Sequence, residues 1–288
     1  MAEQPGLTSM KQVLITGASG FVGRQIARSV QARGHRLTLV LRPGRFTDIG
    51  ISDDQVRIIE TDDLFAESTA WWLEALAGID TVIHAAWSVV PGRYLDSLDN
   101  IDCLVGSLRL AEAARRNGVA RFIGVGTCFE YRLPNERITV EAPLGPVTLY
   151  STAKLGLYEQ LEIRFKATAT SFAWARLFYL FGEGEHPTRL FPTLHRKLSS
   201  GEPMQLSSGD KLRDFLDVRE AGRMIASLVE NGQEGPVNIC SGQGVTLREV
   251  AETIADRYGR RDLLAFGSQP AHPRDPMAVV GISNLAST

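Results

Sequence analysis

The chain has 288 residues, 44% hydrophobic and 22% charged, with a net charge of −2. This balance is ordinary for a soluble globular protein with a sizeable core, and it leaves no broad basic surface for nucleic acid or an anionic membrane. Cys103, Cys128 and Cys240 lack metal-ligand spacing, no apolar run approaches the roughly 18 residues of a membrane helix, and MAEQPGLTSMK has no secretory pattern; a reduced, cytoplasmic protein without a metal is expected.

Short β-rich runs alternate with longer amphipathic ones. QVLIT (12–16) reads as a strand, followed by a helix from Gly20 to Arg33 and a strand HRLTLVLR (35–42). VRIIE (56–60), a helical stretch over Ser68–Ala77 and the strand DTVIHAA (80–86) come next. A helix over Leu95–Asn117, RFIGVGT (121–127), a helix from Tyr150 to Lys166 and SFAWARLF (171–178) complete the series. The strand-like runs do not alternate in polarity, which suits strands buried on both faces of a parallel sheet. Repeated βα units of this kind build a doubly wound α/β fold over residues 1–180.

Residues 181–288 differ in texture. Loops rich in glycine, proline and charge (GEGEHPTR, SSGEPMQ, SSGDKLRD) separate short elements, with helices near 188–200, 218–231 and 246–258. They read as a smaller α/β substrate lobe over the carboxyl edge of the sheet, with short returns to the first domain. The cleft between lobes is the expected site.

The first turn, TGASGFVGRQ, spaces Gly17, Gly20 and Gly23 as GxxGxxG after a strand and into a helix. Gly17 allows the tight turn, Gly20 the approach of a pyrophosphate and Gly23 the packing of helix on sheet. The amides of this turn, which includes Ser19, Phe21 and Val22, then face the anion at the helix N-terminus. This context reads as the dinucleotide-binding turn of a Rossmann sheet; the alternative is a purely structural turn. After the second strand stands Arg42, with Arg45 close by, where an acid would bind ribose hydroxyls. A guanidinium there suits a 2′-phosphate and favours NADP(H) over NAD(H); the alternative is a solvated loop arginine. Asp62 and Asp63, ahead of Leu64, either reach the adenine amino group or cap a helix.

LYSTAKLGLYEQL puts Tyr150 and Lys154 four apart on one helix face. A nearby ammonium, aided by an oxidised nicotinamide, brings a phenol with an ordinary pKa near 10 toward working range. Thr127 ends a sheet strand whose carboxyl end faces the same place, where its hydroxyl can share the substrate oxygen that Tyr150 protonates. With TGASGFVG, DTVIHAAW, GTCFEY, YSTAK, WARLFYLFG and RDFLDV in this order, the chain resembles an extended short-chain dehydrogenase/reductase of the NAD-dependent epimerase/dehydratase family, which acts mostly on nucleotide sugars. The resemblance implies that Ala85 and Ala86 lie against the cofactor and that Arg213 contacts the sugar-nucleotide diphosphate. The chain departs from the family at two substrate-contact positions: Tyr179 stands where relatives have asparagine, and His272 where they have arginine, so that either Arg274 substitutes or the diphosphate is held differently.

Family 4,6-dehydratases carry an acid pair after the threonine; this chain has Cys128 and Phe129, so dehydration lacks its machinery. Glu130 falls on the opposite face from Phe129 if the strand continues. Cys128 is either a base for epimerisation or a small buried apolar residue, with His186 and His195 as conceivable partner acids, and His84 reads as a satisfied core histidine. Two reactions remain: reduction of a 4-keto or 4-keto-6-deoxy nucleotide sugar with Tyr150 as proton donor, and 4-epimerisation with tightly bound NAD. Arg42 favours the reductase. A non-catalytic dinucleotide-binding regulator and a reductase of non-sugar carbonyls are the other readings; the intact triad and RDFLDV speak against them. A further family asparagine falls near Cys103. A homodimer is expected through the helices near 95–117 and 150–166, where Leu104, Leu108, Leu157 and Leu161 suit either a partner or the sheet.

Overall fold

A computed structural model of the chain describes residues 9–52, 56–270 and 275–286. β1 (Gln12–Thr16), α1 (Phe21–Ala32), β2 (Arg36–Leu41) and β3 (Val56–Glu60) open the chain. α2 (Thr69–Ala75), β4 (Thr81–His84), α3 (Asp99–Arg116) and β5 (Arg121–Thr127) follow. Then come β6 (Asn135–Ile138), α4 (Leu149–Lys166), β7 (Ser171–Leu177) and β8 (Tyr179–Phe181). α5 (Leu190–Ser200), β9 (Met204–Gln205), β10 (Leu212–Asp217), α6 (Val218–Ser227) and β11 (Gly235–Ile239) lead into the last part. β12 (Gly244–Thr246), α7 (Leu247–Tyr258), β13 (Leu264–Ala265) and β14 (Ala278–Gly281) complete it.

Seven parallel strands form the main sheet in the order β11-β7-β5-β4-β1-β2-β3. The chain winds outward in both directions from β1 and β4, so a crevice opens at their carboxyl ends. The pleat divides the apolar strands between two layers. Val13 and Ile15 face the layer holding Ile26 and Val30 of α1 and Ile225 of α6. Leu14, Val82 and Phe122 face Trp72, Leu110, Leu157, Leu161 and Phe165 on α2, α3 and α4. The helices have local stops and starts: Ser68 caps α2 by accepting from the Trp71 amide, and Thr148 and Ser151 form a capping box at the start of α4.

In the smaller lobe β10 is central, antiparallel to β12 and parallel to β8 and β14, with β6 beyond β14. α5 and α7 pack on each other through Leu194, Leu198 and Ile254, with Met204 of β9 beside them. Two later elements return to the first layer. α6 packs on α1 so closely that a Cβ on Gly222 would lie 2.7 Å from the Gln25 backbone, and β11 is the edge strand of the main sheet. β4 stops at His84, two residues early, because the next residues bend onto the first turn: the Ala85 amide donates to the Thr16 carbonyl at 3.3 Å. α3 begins at Asp99 rather than Leu95.

Candidate active site

The glycine turn is built to receive a flat anionic group. Gly17 has φ +75°, and a Cβ there would lie 2.7 Å from the Ala86 nitrogen and 2.9 Å from the Ala85 carbonyl carbon. The end of β4 therefore lies directly on the turn. A Cβ on Gly23 would drive into the Gly17 peptide. α1 starts at Gly20 with no side-chain cap and no acid in its first turn, so its amides face outward with the positive end of the helix dipole. Arg24, unremarked in the sequence, donates to the Ser19 and Gly20 carbonyls at 3.2 and 3.3 Å and adds a cation at the rim. These features fit a dinucleotide pyrophosphate.

Arg42 is exposed at the end of β2, where its carbonyl accepts from the Arg45 amide in a turn pinned by Glu60, which accepts from the Gly44 amide at 3.1 Å. Asp63 accepts from the Phe65 amide at 2.9 Å in a local turn and Asp62 is exposed, while Leu64 packs on the α2–α4 layer. His84 is buried between the hydroxyls of Thr16, at 2.8 Å, and Ser107, at 2.7 Å. Burial, and after it Lys154, lower its pKa to about 3, so the ring is neutral.

Thr127 closes a strand whose glycines admit a tryptophan. A Cβ on Gly126 would lie 2.5 Å from Glu130 Oε1 and closer still to Trp174 Nε1, and one on Gly124 would enter the same indole. After Thr127 the strand geometry does not persist: residues 128–130 form a single 3-10 turn that swings Glu130 inward. Glu130 accepts from the Thr127 amide at 2.9 Å, from Trp174 Nε1 at 3.1 and 3.0 Å, and from Arg176 Nε at 2.7 Å. The Thr127 hydroxyl accepts from the Phe129 amide at 3.3 Å and is hydrogen-bonded to the Tyr150 phenol.

α4 brings Tyr150 and Lys154 to this strand. Lys154 is 3% exposed, donates to the Val125 carbonyl at 2.7 Å and lies 3.8 Å from the Trp87 ring centre. Burial lowers its pKa to about 7, opposed first by Glu130 and then by Cys103. The Tyr150 ring meets Tyr94 edge-on at 5.0 Å and Trp87 at 6.3 Å. Burial, and next Tyr94, push its phenol well above the ordinary range, while the Thr127 bond pulls the other way. The protein around Tyr150 thus holds the phenol protonated.

Facing them from the smaller lobe is an aromatic wall. Tyr179 stands between Phe129, at 6.0 Å, and Phe215, at 5.9 Å, and its buried hydroxyl has no partner among the described residues. Arg189, at the uncapped start of α5, hydrogen-bonds the Tyr94 hydroxyl across the cleft. Arg213 is only 2% exposed and turned into its own chain: it donates to Asp275 at 2.7 Å and to the Pro276 carbonyl at 2.6 Å. Lys211 shares Asp275 at 2.6 Å, beside a cavity of about 300 Å³ that Leu190, Met204 and Gln205 also line. Arg274 and His272 lie outside the described residues.

Cys128 is buried with Tyr131, Ile138 and Phe178, and burial pushes its thiol far up, away from a base. His186 is exposed and bonded to Thr188, and His195 is half-buried and bonded to Tyr258. Trp87, Tyr94, Trp174 and Arg189, and the inward direction of Glu130, escaped sequence reasoning. The one available signal was the glycine pair at i and i+2 in a central strand, which implies a bulky neighbour.

Residues 13–240 match the model of the NAD dependent epimerase/dehydratase family. A dTDP-6-deoxy-L-talose 4-dehydrogenase (NAD(+)) of Aggregatibacter actinomycetemcomitans is 22% identical over 271 residues, covering 93% of this chain and 98% of that protein. A GDP-6-deoxy-D-mannose reductase of Pseudomonas aeruginosa is 27% identical over 266 residues, 85% of this chain and 80% of the other. In fold the chain is similar to the solved UDP-N-acetylglucosamine 4-epimerase of Methanobrevibacter ruminantium, with a TM-score of 0.84 at 21% identity, covering 96% of this chain and 90% of that one. The glycine turn, the parallel sheet and the family match over residues 13–240 agree: this chain belongs to the NAD dependent epimerase/dehydratase family and is an NAD(P)-dependent enzyme of the nucleotide-sugar-modifying kind.

Proposed function

We propose that the enzyme reduces a nucleotide-linked 4-keto-6-deoxy sugar, with Tyr150 as proton donor. The observation that carries this reading is the state of the catalytic pocket: Tyr150 is held protonated and bonded to Thr127, while Phe129 occupies the place where elimination needs an acid. When bound, the dinucleotide would supply the hydride. Gly17, Ser19, Gly20, Phe21, Val22 and Gly23 would hold its pyrophosphate, with Ala85 and Ala86 beside them at the end of β4. Thr127 and Tyr150 hold the sugar carbonyl oxygen; as negative charge develops there, the phenol gives up its proton and Lys154 stabilises the phenolate.

Arg42 supports NADPH as the cofactor, since a guanidinium pairs with a 2′-phosphate. Tyr179, with its unpartnered hydroxyl, contacts the sugar, and its aromatic neighbours suit a methyl group. Arg189 and the open start of α5 suit the diphosphate; Arg213 serves it only if the Asp275 contact rearranges. The exposed Leu98, Ile101 and Val105 share one face of α3 and favour a homodimer, whereas Leu157 and Leu161 pack on the sheet with Leu104 and Leu108 beside them. Among the described residues no helix is long and apolar enough to cross a membrane, and the three buried thiols suit a cytoplasmic setting.

The purified protein is denatured and the released dinucleotide identified. A site that exchanges freely and binds NADPH more tightly than NADH, followed by oxidation of NADPH with nucleotide 4-keto sugars, supports the reductase. Near-stoichiometric NAD⁺ with interconversion of 4-epimers overturns it in favour of the epimerase, which the same three side chains also serve.

A further inference from the structure

Thr127, Tyr150 and Lys154 leave unexplained a carboxylate at the back of their pocket. Glu130 is 0% exposed, and every partner described above is a donor: the Thr127 amide, the Trp174 indole and the Arg176 guanidinium. Such surroundings are those of an ionised group, although burial pushes the carboxyl up against the pull of Arg176. A fully buried ion pair is seldom more stable than apolar side chains of the same volume, so stability alone is a weak reason for it.

Its position supplies a better one. The carboxylate lies against Gly126, with Lys154 bonded to the Val125 carbonyl on one side of that residue and Thr127 on the other. Its bond to the Thr127 amide closes the turn in which the Phe129 amide holds the Thr127 oxygen. Arg176 also donates to the Tyr131 hydroxyl at 3.0 Å, which in turn donates to Asn238 at 2.7 Å. The groups facing Lys154 are Glu130 from the 3-10 turn, Cys103 from α3, the neutral His84 from β4, Tyr150 one turn earlier on α4, and the rings of Trp87 and Trp174. Burial keeps the Cys103 thiol neutral, which leaves Glu130 as the fixed anion of this set.

We propose that Glu130 is a positioning residue for proton transfer: it fixes the Thr127 hydroxyl toward Tyr150 and supplies the negative charge that keeps Lys154 an ammonium. This rests on the roles given above to Thr127, Tyr150 and Lys154. It also gives the glycines of GVGT a purpose, since they admit the indole that completes the carboxylate's donor set.

The test is a lysine side-chain NMR titration of the full-length protein, with Lys154 assigned as the signal lost in Lys154→Met. Glu130→Gln, similar in shape but neutral, lowers the Lys154 midpoint by about one unit or more. Trp174→Phe disturbs the same pocket but keeps the charge, and leaves the midpoint near the wild-type value. An unchanged midpoint in Glu130→Gln, or an equal drop in Trp174→Phe, overturns the proposal. Should Glu130→Gln fail to fold, Glu130→Asp decides: it retains the charge and withdraws from the Thr127 amide. The Lys154 midpoint then stays while kcat falls with little change in KM, and a wild-type kcat or a fallen midpoint overturns the proposal. The titration needs no substrate, so its failure tells against Glu130. A normal titration without turnover of any 4-keto sugar tells against the proposed reaction instead.

Discussion

Replacing Gly126 by alanine tests the packing behind Thr127. The added Cβ meets the Trp174 indole and, at 2.5 Å, Glu130 Oε1, both buried and both tied by hydrogen bonds to their neighbours. Neither is the free end of a flexible chain, so the methyl is not accommodated cheaply. Overpacking a filled core costs about 1–3 kcal/mol. Pulling the carboxylate from one of its buried donors adds about 1–3 kcal/mol. A combined loss of about 3 kcal/mol follows, and with an unfolding entropy near 2.1 cal/mol/K per residue it corresponds to about 5 °C in Tm for this chain. The assay is urea unfolding, with Gly156→Ala as a counterpart in α4. A Cβ at 156 meets nothing within 4 Å. That substitution is expected to stabilise by about 0.5–1 kcal/mol through helix propensity alone. A Gly126→Ala protein within about 0.5 kcal/mol of wild type would refute the reasoning, because ordinary surface changes fall in that range.

Tyr150→Phe is expected to abolish turnover while leaving dinucleotide affinity nearly intact; steady-state kinetics beside a binding titration decides, and retained turnover sinks the role. Arg42→Ala should weaken NADPH binding by about 10- to 100-fold, matching the loss of a charge-assisted contact of about 1.5–3 kcal/mol, and spare NADH. Equal effects on both cofactors would place Arg42 off the 2′-phosphate. His84 has a folded pKa lowered from 6.5 to about 3. The unfolded chain takes up a proton that the folded one refuses, so stability drains as pH falls through that window. In His84→Gln the slope of unfolding free energy against pH should be shallower there by up to about 1.4 kcal/mol per pH unit, and an unchanged slope contradicts the assignment. Ile101→Asp combined with Val105→Asp should convert a dimer to monomer in sedimentation; a variant that stays dimeric, or a wild type that is already monomeric, removes α3 as the interface.

How much was legible in the sequence depended on how local the cause was. The glycine turn, the βα alternation and the Tyr150–Lys154 pair each follow from spacings of a few residues, and their elements stand where those spacings put them. His84 read as a core histidine for the same reason, since Val82, Ile83, Ala85 and Ala86 around it are apolar. The turn after Thr127 was not legible: Glu130 points inward because Trp174 and Arg176, more than 40 residues further on, wait there as donors. Leu157 and Leu161 also illustrate the limit, since an apolar side chain on a helix suits a sheet or a partner equally until the helix is docked.

The sequence by itself determined the parallel α/β architecture, the tight glycine turn between β1 and α1, and the placing of Thr127 at a strand end and of Tyr150 and Lys154 one turn apart on a helix, because local pattern and side-chain type suffice for these. Only the tertiary structure decided that α6 and β11 return to the first layer, that Arg213 turns onto Asp275, and that a buried carboxylate stands behind the strand that ends at Thr127. Those outcomes depend on which charged and bulky groups meet across long stretches of chain. In a close-packed interior each such meeting is settled by all its neighbours at once.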